Sequence, residues 1–315
     1  MSEIVGAGLS PDDVGARVSV RRQVGGEVGD VVGDLESLDA DQLAIRRTGG
    51  DLALVATRDV TAARVVGPSP LAARELEAVS GRLWPATESE WLGQWCLRAA
   101  AGFTARANSV RPLGDPGVDL DDALARVVGW YGQRGLPALI RSVSGSGLDR
   151  ELTRRGWTSD RETLMQTTTV AKARRLLIGA RPGYAGDVTM ESEPSASWLR
   201  RFRDGSPTPA ALAVLTGIPV VAFASVGDGG EHPAAAIGRC AVEGPWAGLA
   251  AIEVAPGARR RGLAHAVTGA LLDWAHGRGA MRVHLEVMAN NPAALALYAS
   301  LGFAEHHRYT YREPR

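Results

Sequence analysis

Four short runs near the start of the chain alternate apolar and polar residues: Arg17–Arg21, Asp30–Leu35, Gln42–Arg46 and Asp51–Val55. A period of two gives each run one buried face, so each predicts a β-strand. Gly25-Gly26 and Thr48-Gly49-Gly50-Asp51 supply turns between them. Four or five strands at this spacing predict a small closed or nearly closed barrel over residues 1–68. Gly67-Pro68-Ser69-Pro70 reads as a linker. The period then lengthens. A helix is predicted from Leu71 to Leu83, and a second helix carries Trp91, Trp95 and Arg98 on one face at i, i+4 and i+7.

From there an order of elements repeats. The first pass is a strand Phe103–Val110, a turn-rich Pro112–Gly117, a helix Leu120–Gln133 and a strand Leu136–Val143. A short helix Leu148–Arg155 ending at Gly156-Trp157 and a strand Thr163–Val170 complete it. Helices Ala196–Arg203 and Pro209–Thr216 and strands Val220–Val226 and Ala234–Val242 come next. The second pass runs through strand Leu249–Val254, helix Gly262–Gly277, strand Met281–Val287, helix Pro292–Leu301 and strand His307–Tyr311. Trp130…Arg134-Gly135 answers Trp274…Arg278-Gly279, and Gly156-Trp157 answers Gly302-Phe303. This register predicts a degenerate internal duplication.

Composition narrows the class. The chain has 315 residues, enough for two or three domains, with 35 basic and 35 acidic side chains. Net neutrality removes a general attraction for nucleic acid or anionic membrane. Cys96 and Cys240 are too few for a disulfide framework or a cysteine-rich metal site, and no apolar run is long enough to span a bilayer. These features predict a cytoplasmic protein. No aromatic residue precedes Trp84, so the N-terminal strands lack a stacking platform for bases or peptides. The barrel resembles the Src-homology type, and a scaffolding or homodimerising role is expected of it.

The most informative stretch is Ile252-Glu253-Val254-Ala255-Pro256-Gly257-Ala258-Arg259-Arg260-Arg261-Gly262-Leu263-Ala264. An apolar strand ends at a proline, and a basic turn opens directly into an apolar-periodic helix. Unpaired amides at such a helix start, with its dipole, attract an anion. Gly262 lets the backbone approach a diphosphate closely, small Ala264 keeps the entrance open, and the arginines add charge-assisted hydrogen bonds.

The spacing Arg259-x-x-Gly262-x-Ala264 after Val254-x-Pro256 resembles the pyrophosphate signature of the GNAT acyltransferases. A second block, Asn291-x-x-Ala294-x-x-x-Tyr298-x-x-x-Gly302-Phe303, follows in the family's order. The resemblance implies an α/β fold with a mixed sheet and splayed central strands over residues 176–315. Residues 69–175 would be a degenerate GNAT-like half. It implies acetyl-CoA as co-substrate without a metal, and a small-molecule or peptide amine as acceptor. Ile252 and Val254 would pair with the pantetheine arm. Arg259, Arg260, Arg261, Gly262, Leu263, Ala264 and His265 would surround the diphosphate, with Asn291, Ala294 and Tyr298 completing the cofactor site. Tyr298 would protonate the departing thiolate, a reasonable task for a phenol of pKa ~10 beside a thiol of ~8.5. Glu286 stands twelve residues before Tyr298, the spacing of base and tyrosine in the ribosomal-protein alanine acetyltransferases that this block resembles. Glu253 on the adjacent strand and a water chain are further candidates for the base, and His284 shares the strand face of Glu286.

The upstream repeat lacks these parts. Gly114-Asp115-Pro116-Gly117-Val118-Asp119 carries two acids where the basic turn would fall, and Leu152 stands near the tyrosine position. No CoA is expected there, and a role covering the acceptor side is, with Arg106, Asn108, Trp91 or Trp95 as lining. Trp198, Arg201, Phe202 and Arg203 are the acceptor-side candidates of the second half. Two other functions compete with catalysis: a non-catalytic acyl-CoA sensor, and a nucleic-acid- or peptide-binding protein on a GNAT frame.

Overall fold

The computed structural model describes residues 8–47, 50–67, 70–159, 161–180, 187–205, 207–227 and 232–315. Thr48, Gly49, Pro68 and Ser69, assigned above to a turn and a linker, lie outside them.

The chain begins with β1 (Arg17–Val24), β2 (Glu27–Leu38), β3 (Gln42–Arg47), β4 (Leu52–Ala56) and β5 (Val60–Val65). They form one five-stranded antiparallel sheet in the order β4-β3-β2-β1-β5. Of the closed or nearly closed barrel expected, closure is not found, because β4 and β5 are the two edges and do not pair with each other. Strand alternation still buries Val18, Val20, Val31, Leu35, Leu43 and Ile45 in a core of their own. The sheet docks on the rest of the chain through polar contacts. Asp34 pairs with Arg282 at 2.6 Å, Asp12 pairs with Arg175, and the Asp12 carbonyl accepts from Thr169 Oγ1 at 2.5 Å.

Next come α1 (Pro70–Leu83), β6 (Glu88–Leu92), β7 (Trp95–Ala99), β8 (Arg111–Pro112), α2 (Leu120–Gly132), β9 (Ile140–Val143), α3 (Gly147–Arg154) and β10 (Glu162–Thr169). The helix expected around Trp91, Trp95 and Arg98 is a β-hairpin instead. Leu92 pairs with Trp95 across a two-residue turn whose Gly93 has φ +54°. A Cβ on Gly93 would sit 2.3 Å from the Pro116 carbonyl carbon, so close packing enforces the glycine. The strand expected over Phe103–Val110 is also absent. Asn108 gathers that segment into a compact loop, accepting from Ala100 and Gly102 amides and donating to the Phe103 and Thr104 carbonyls, all within 2.8–3.0 Å. The strand expected from Leu136 begins only at Ile140.

The remainder is α4 (Val170–Ala180), β11 (Thr189–Glu191), α5 (Ala196–Arg201), α6 (Pro209–Thr216), β12 (Val221–Val226), β13 (Ala236–Glu243), β14 (Trp246–Val254), α7 (Leu263–His276), β15 (Arg282–Met288), α8 (Pro292–Ser300) and β16 (Ala304–Arg312). An eight-stranded mixed sheet has the order β11-β12-β13-β14-β15-β10-β16-β9. It runs straight through the boundary expected at residue 175. β10 lies between β15 and β16, while β16 lies between β10 and β9, so the last strand of each expected repeat sits between the last two of the other. Counting outward from the directly paired Thr163 and Tyr309, Met165 meets Glu286 on one side and Tyr311 meets Arg141 on the other. The strand pattern thus has a local pseudo-two-fold in which Arg141 holds the register position of Glu286. One face of the sheet packs Val283, Leu285 and Val287 with α4, α7 and α8; the other turns Met165, Ala241 and Trp246 toward α1.

Candidate active site

β14 and β15 run parallel and pair from Trp246↔Arg282 to Leu249↔Leu285, where the pairing stops. Both strands continue, β14 to Val254 and β15 to Met288, so a wedge opens between them. The divergence begins at Ala251, a non-glycine residue at φ +53°, beside a register shift between β13 and β14. Ile252, Glu253 and Val254 lie along this free edge.

The edge leads into the basic turn. Arg260 (φ +61°) and Gly262 (φ +79°) both adopt left-handed conformations, which turns successive amides outward ahead of α7. The amides of residues 260–265 donate to no acceptor among the described residues, and Gly262 caps the helix without a side-chain bond. Arg259, Arg260 and Arg261 are exposed and make no ion pair among the described residues. This is a cationic cradle of unsatisfied donors. His265 stands one turn on, its Nε2 3.4 Å from Ser300 Oγ, and partial burial lowers its pKa.

α8 begins beside the wedge. Asn291 is its cap, accepting from the Ala294 amide at 3.1 Å, so these two residues satisfy each other. Tyr298 is buried in the same apolar cluster as Leu263 and packs edge-on against Phe303 at 5.6 Å. Its hydroxyl makes no hydrogen bond among the described residues, and burial pushes its pKa up to about 12.

Glu286 is placed differently from a free carboxylate at a cleft mouth. Its Oε2 accepts from Tyr309 Oη at 2.6 Å and Arg141 Nη1 at 3.0 Å, and Arg106 Nε forms an ion pair with it at 3.0 Å. Oε1 is buried without a partner. Burial alone would raise this carboxyl, but Arg106, Arg141 and Arg111 hold it well below the usual range. Arg141 is itself shared: its Nη2 donates to Glu77 Oε1 at 2.6 Å, while Arg111 Nη1 reaches Glu77 Oε2 at 2.9 Å. Against the same burial penalty, Arg141, a His307 hydrogen bond and Arg111 bring Glu77 down to about 2. His284, on the strand face of Glu286, is buried with both ring nitrogens unpartnered among the described residues, and burial lowers its pKa to about 4.

An aromatic wall flanks the wedge. Trp84 stacks on Phe103 at 6.2 Å, Phe103 meets Phe202 at 6.2 Å, and Phe202 stacks on Trp198 at 5.1 Å. This cluster extends to Ala250 and Ala251. The Arg203 guanidinium lies 5.3 Å from the Phe103 ring, and its amide is 3.4 Å from Glu253 Oε2. Arg106 reaches the wall from the upstream repeat, over Trp84 at 4.8 Å. Of the other proposed lining residues, Asn108 is the loop hub, Trp95 is core, Trp91 is exposed and Arg201 bonds the Ala234 carbonyl. Sequence reasoning missed Glu77, Arg111, Arg141 and Tyr309. The available signal was Arg141 itself, a lone charge inside the apolar run Leu139-Ile140-Arg141-Ser142-Val143.

The family profile described as "Probable histone acetyltransferase Rv0428c C-terminal" matches residues 72–312. The probable histone acetyltransferase Rv0428c of Mycobacterium tuberculosis is 30% identical over 95% of this chain and 94% of its own length. The uncharacterized N-acetyltransferase YobR of Bacillus subtilis is 30% identical over 77% of this chain and 98% of its own. Among solved structures, a GCN5-related N-acetyltransferase from Kribbella flavida aligns with a TM-score of 0.56 at 15% identity, covering 77% of this chain and 95% of that one.

Proposed function

The chain belongs to the family of the Rv0428c acetyltransferase and is an acyl-CoA-dependent N-acyltransferase of the GNAT type; from that premise we propose that it transfers acetyl from acetyl-CoA to a primary amine by direct attack. The observation that carries this reading is the wedge beyond Leu249↔Leu285 running into the unsatisfied amides of residues 260–265. Ile252 and Val254 would bind the pantetheine arm as a strand binds its neighbour, and the Arg259–His265 cradle would hold the diphosphate. Asn291 and Ala294 shape α8 so that Tyr298 faces the thioester. As the amine nitrogen bonds to the acyl carbon and the carbon–sulfur bond breaks, Tyr298 gives its proton to the thiolate. The amine's proton passes to Glu253 or Glu286, directly or through water. The arginine cage makes Glu286 a weak base, which favours Glu253 and gives Glu286 the task of fixing Arg106 beside the aromatic wall.

Residues 69–175 form a degenerate GNAT-like half in this proposal, interlocked with the catalytic half of residues 176–315. The acceptor lies between the aromatic wall and Glu253. The name of the mycobacterial relative directs the first test to lysine amines. A screen of lysine peptides, protein N-termini, polyamines, aminoglycosides and amino acids with acetyl-CoA should release free thiol with at least one class. Tight CoA binding with no release from any class would instead favour the acyl-CoA sensor.

Two further results follow from the site. Calorimetry should give one acetyl-CoA per chain, and Gly262→Val should weaken it by roughly tenfold to a hundredfold. A β-branched residue is poorly tolerated at φ +79° and disturbs amides that donate to a charged group. Unchanged affinity in the folded variant would remove the cradle from the cofactor site. For the base, Glu253→Gln should abolish the rise of rate with pH, whereas Glu286→Gln should keep the profile's shape and raise the acceptor KM. The opposite pattern in the two pH profiles would return the role to Glu286.

A further inference from the structure

The acceptor side of the β14–β15 wedge is backed by more positive than negative charge. Arg106, Arg111 and Arg141 form direct ion pairs with two carboxylates, Glu77 and Glu286. Arg98 and Arg239 add two buried guanidinium groups that bond only main-chain carbonyls among the described residues. Arg98 donates to those of Gly81, Trp84 and Arg106, and Arg239 to those of Leu83 and Leu215. Arg106 and Arg239 both lie against the Trp84 ring, at 4.8 and 5.1 Å. Burial lowers the Arg98 and Arg239 pKa values to about 9, which leaves both groups charged near neutral pH.

Arg98, Arg111, Arg141 and Arg239 are each at most 4% exposed and cannot touch a ligand. Arg106 can. Its side chain is 25% exposed, and only its Nε is engaged, by Glu286. Its two terminal nitrogens make no hydrogen bond among the described residues, and neither is sealed from solvent. The surplus charge therefore meets the wedge at one accessible guanidinium. An anion placed there gains a charge-assisted pair with Arg106 and the field of the cations behind it. The other end of the acceptor side has the opposite sign. Glu253 Oε2 lies 3.4 Å from the Arg203 amide, the Arg203 guanidinium lies 5.3 Å from the half-buried Phe103 ring, and Phe103 stacks on Trp84 at 6.2 Å. A carboxylate, an aromatic edge and a guanidinium thus follow one another beside the wedge.

Building on the acetyltransferase reading above, we propose that the acceptor is a primary amine joined through an apolar stem to a carboxylate on the same molecule. The amine sits at Glu253, the stem runs along Phe103, and the carboxylate is received by the terminal nitrogens of Arg106. Arg106 then decides which amines are taken, and Glu286 supports it by holding Nε. An alkylamine without the acid would leave that guanidinium without a counter-ion.

The test compares acids with their neutral carboxamides on the full chain, reading thiol release from acetyl-CoA. The free acceptors are the linear ω-amino acids from 4-aminobutanoate to 8-aminooctanoate. Acetyl-Lys-Glu-amide and acetyl-Lys-Gln-amide pose the same choice within a peptide. At least one acid should exceed its amide by about tenfold or more in kcat/KM, chiefly through KM, as loss of a charge-assisted pair requires. A preference confined to the free acids or to the peptides tells which kind of molecule carries the carboxylate, and either supports the proposal. Arg106→Gln should bring the ratio close to one, while Arg106→Lys keeps most of it. The wild-type comparison stands even if a variant does not fold. Should no amine release thiol, the transferase reading fails by itself. Titration of the CoA-loaded chain with the N-acetylated acids and amides should then still favour the acids. Two results would overturn the proposal: acids and amides that match in turnover or, without turnover, in titration, or a folded Arg106→Gln that slows both alike and leaves their ratio unchanged.

Discussion

Replacing Tyr298 by phenylalanine should leave acetyl-CoA affinity nearly unchanged and lower turnover by about 10²–10⁴-fold, the range for loss of a positioned proton donor. The ring is buried against Phe303 and its hydroxyl makes no hydrogen bond among the described residues, so phenylalanine fills the same volume and orphans no partner. Burial pushes the phenol up to about 12, so the donor stays protonated throughout the neutral range. The deficit should therefore be flat with pH. Acceptors whose reaction is limited by carbon–sulfur cleavage should suffer most, and single-turnover kinetics would separate that step from product release. Equal activity in the variant would mean that water protonates the thiolate and that Tyr298 serves packing alone.

Arg141→Met should cost about 3–5 kcal/mol of stability, because it leaves the buried Glu77 without its main counter-charge and takes one arginine from the buried Glu286. Arg141 is fully buried and holds Glu77 and Glu286 together. The pH dependence gives a second readout. Glu77 has a folded-state value of about 2 against an ordinary 4.5, so its stabilising share is complete above about pH 4.5 and is lost as pH falls toward 2. In the variant, burial works on carboxylates that have lost this cation and favours their protonation. The gap between wild type and variant should then narrow as pH falls from about 7 to about 4. Urea unfolding at several pH values measures it. A gap that stays constant would show that the lost stability comes from packing of the arginine stem and not from its charge.

The parts of this site that were legible in sequence are those fixed by neighbouring residues. Strand β14, the glycine at the start of α7 and helix α8 with its Asn291…Tyr298 spacing are each set within a few positions, and spacing reveals them. What escaped depends on contacts far along the chain. Trp91, Trp95 and Arg98 fit a helical period, yet packing of Gly93 against Pro116 bends the segment into a hairpin. The loop around Asn108 hid behind apolar residues that resemble a strand, because one side-chain amide replaces the ladder. The cage of Glu286 draws Glu77, Arg106, Arg141 and Tyr309 from four separate elements, and no local pattern could assemble them. The barrel failed at closure, a matter of whether two edges meet, on which alternation within each strand is silent.

The reciprocal strand insertion also sets the timetable of biosynthesis. β10 leaves the ribosome with neither of its final neighbours yet made, and β9 waits for β16, far along the chain. Long-range pairing of this kind is slow, and both nascent edges stay open to wrong partners until β15 and β16 have emerged. A premature stop before Ala304 would strip the upstream repeat of its central strand as surely as the downstream one. A cut between β10 and β11 would therefore yield no working piece: the two stretches of chain complete one sheet and stand or fall as one folding unit.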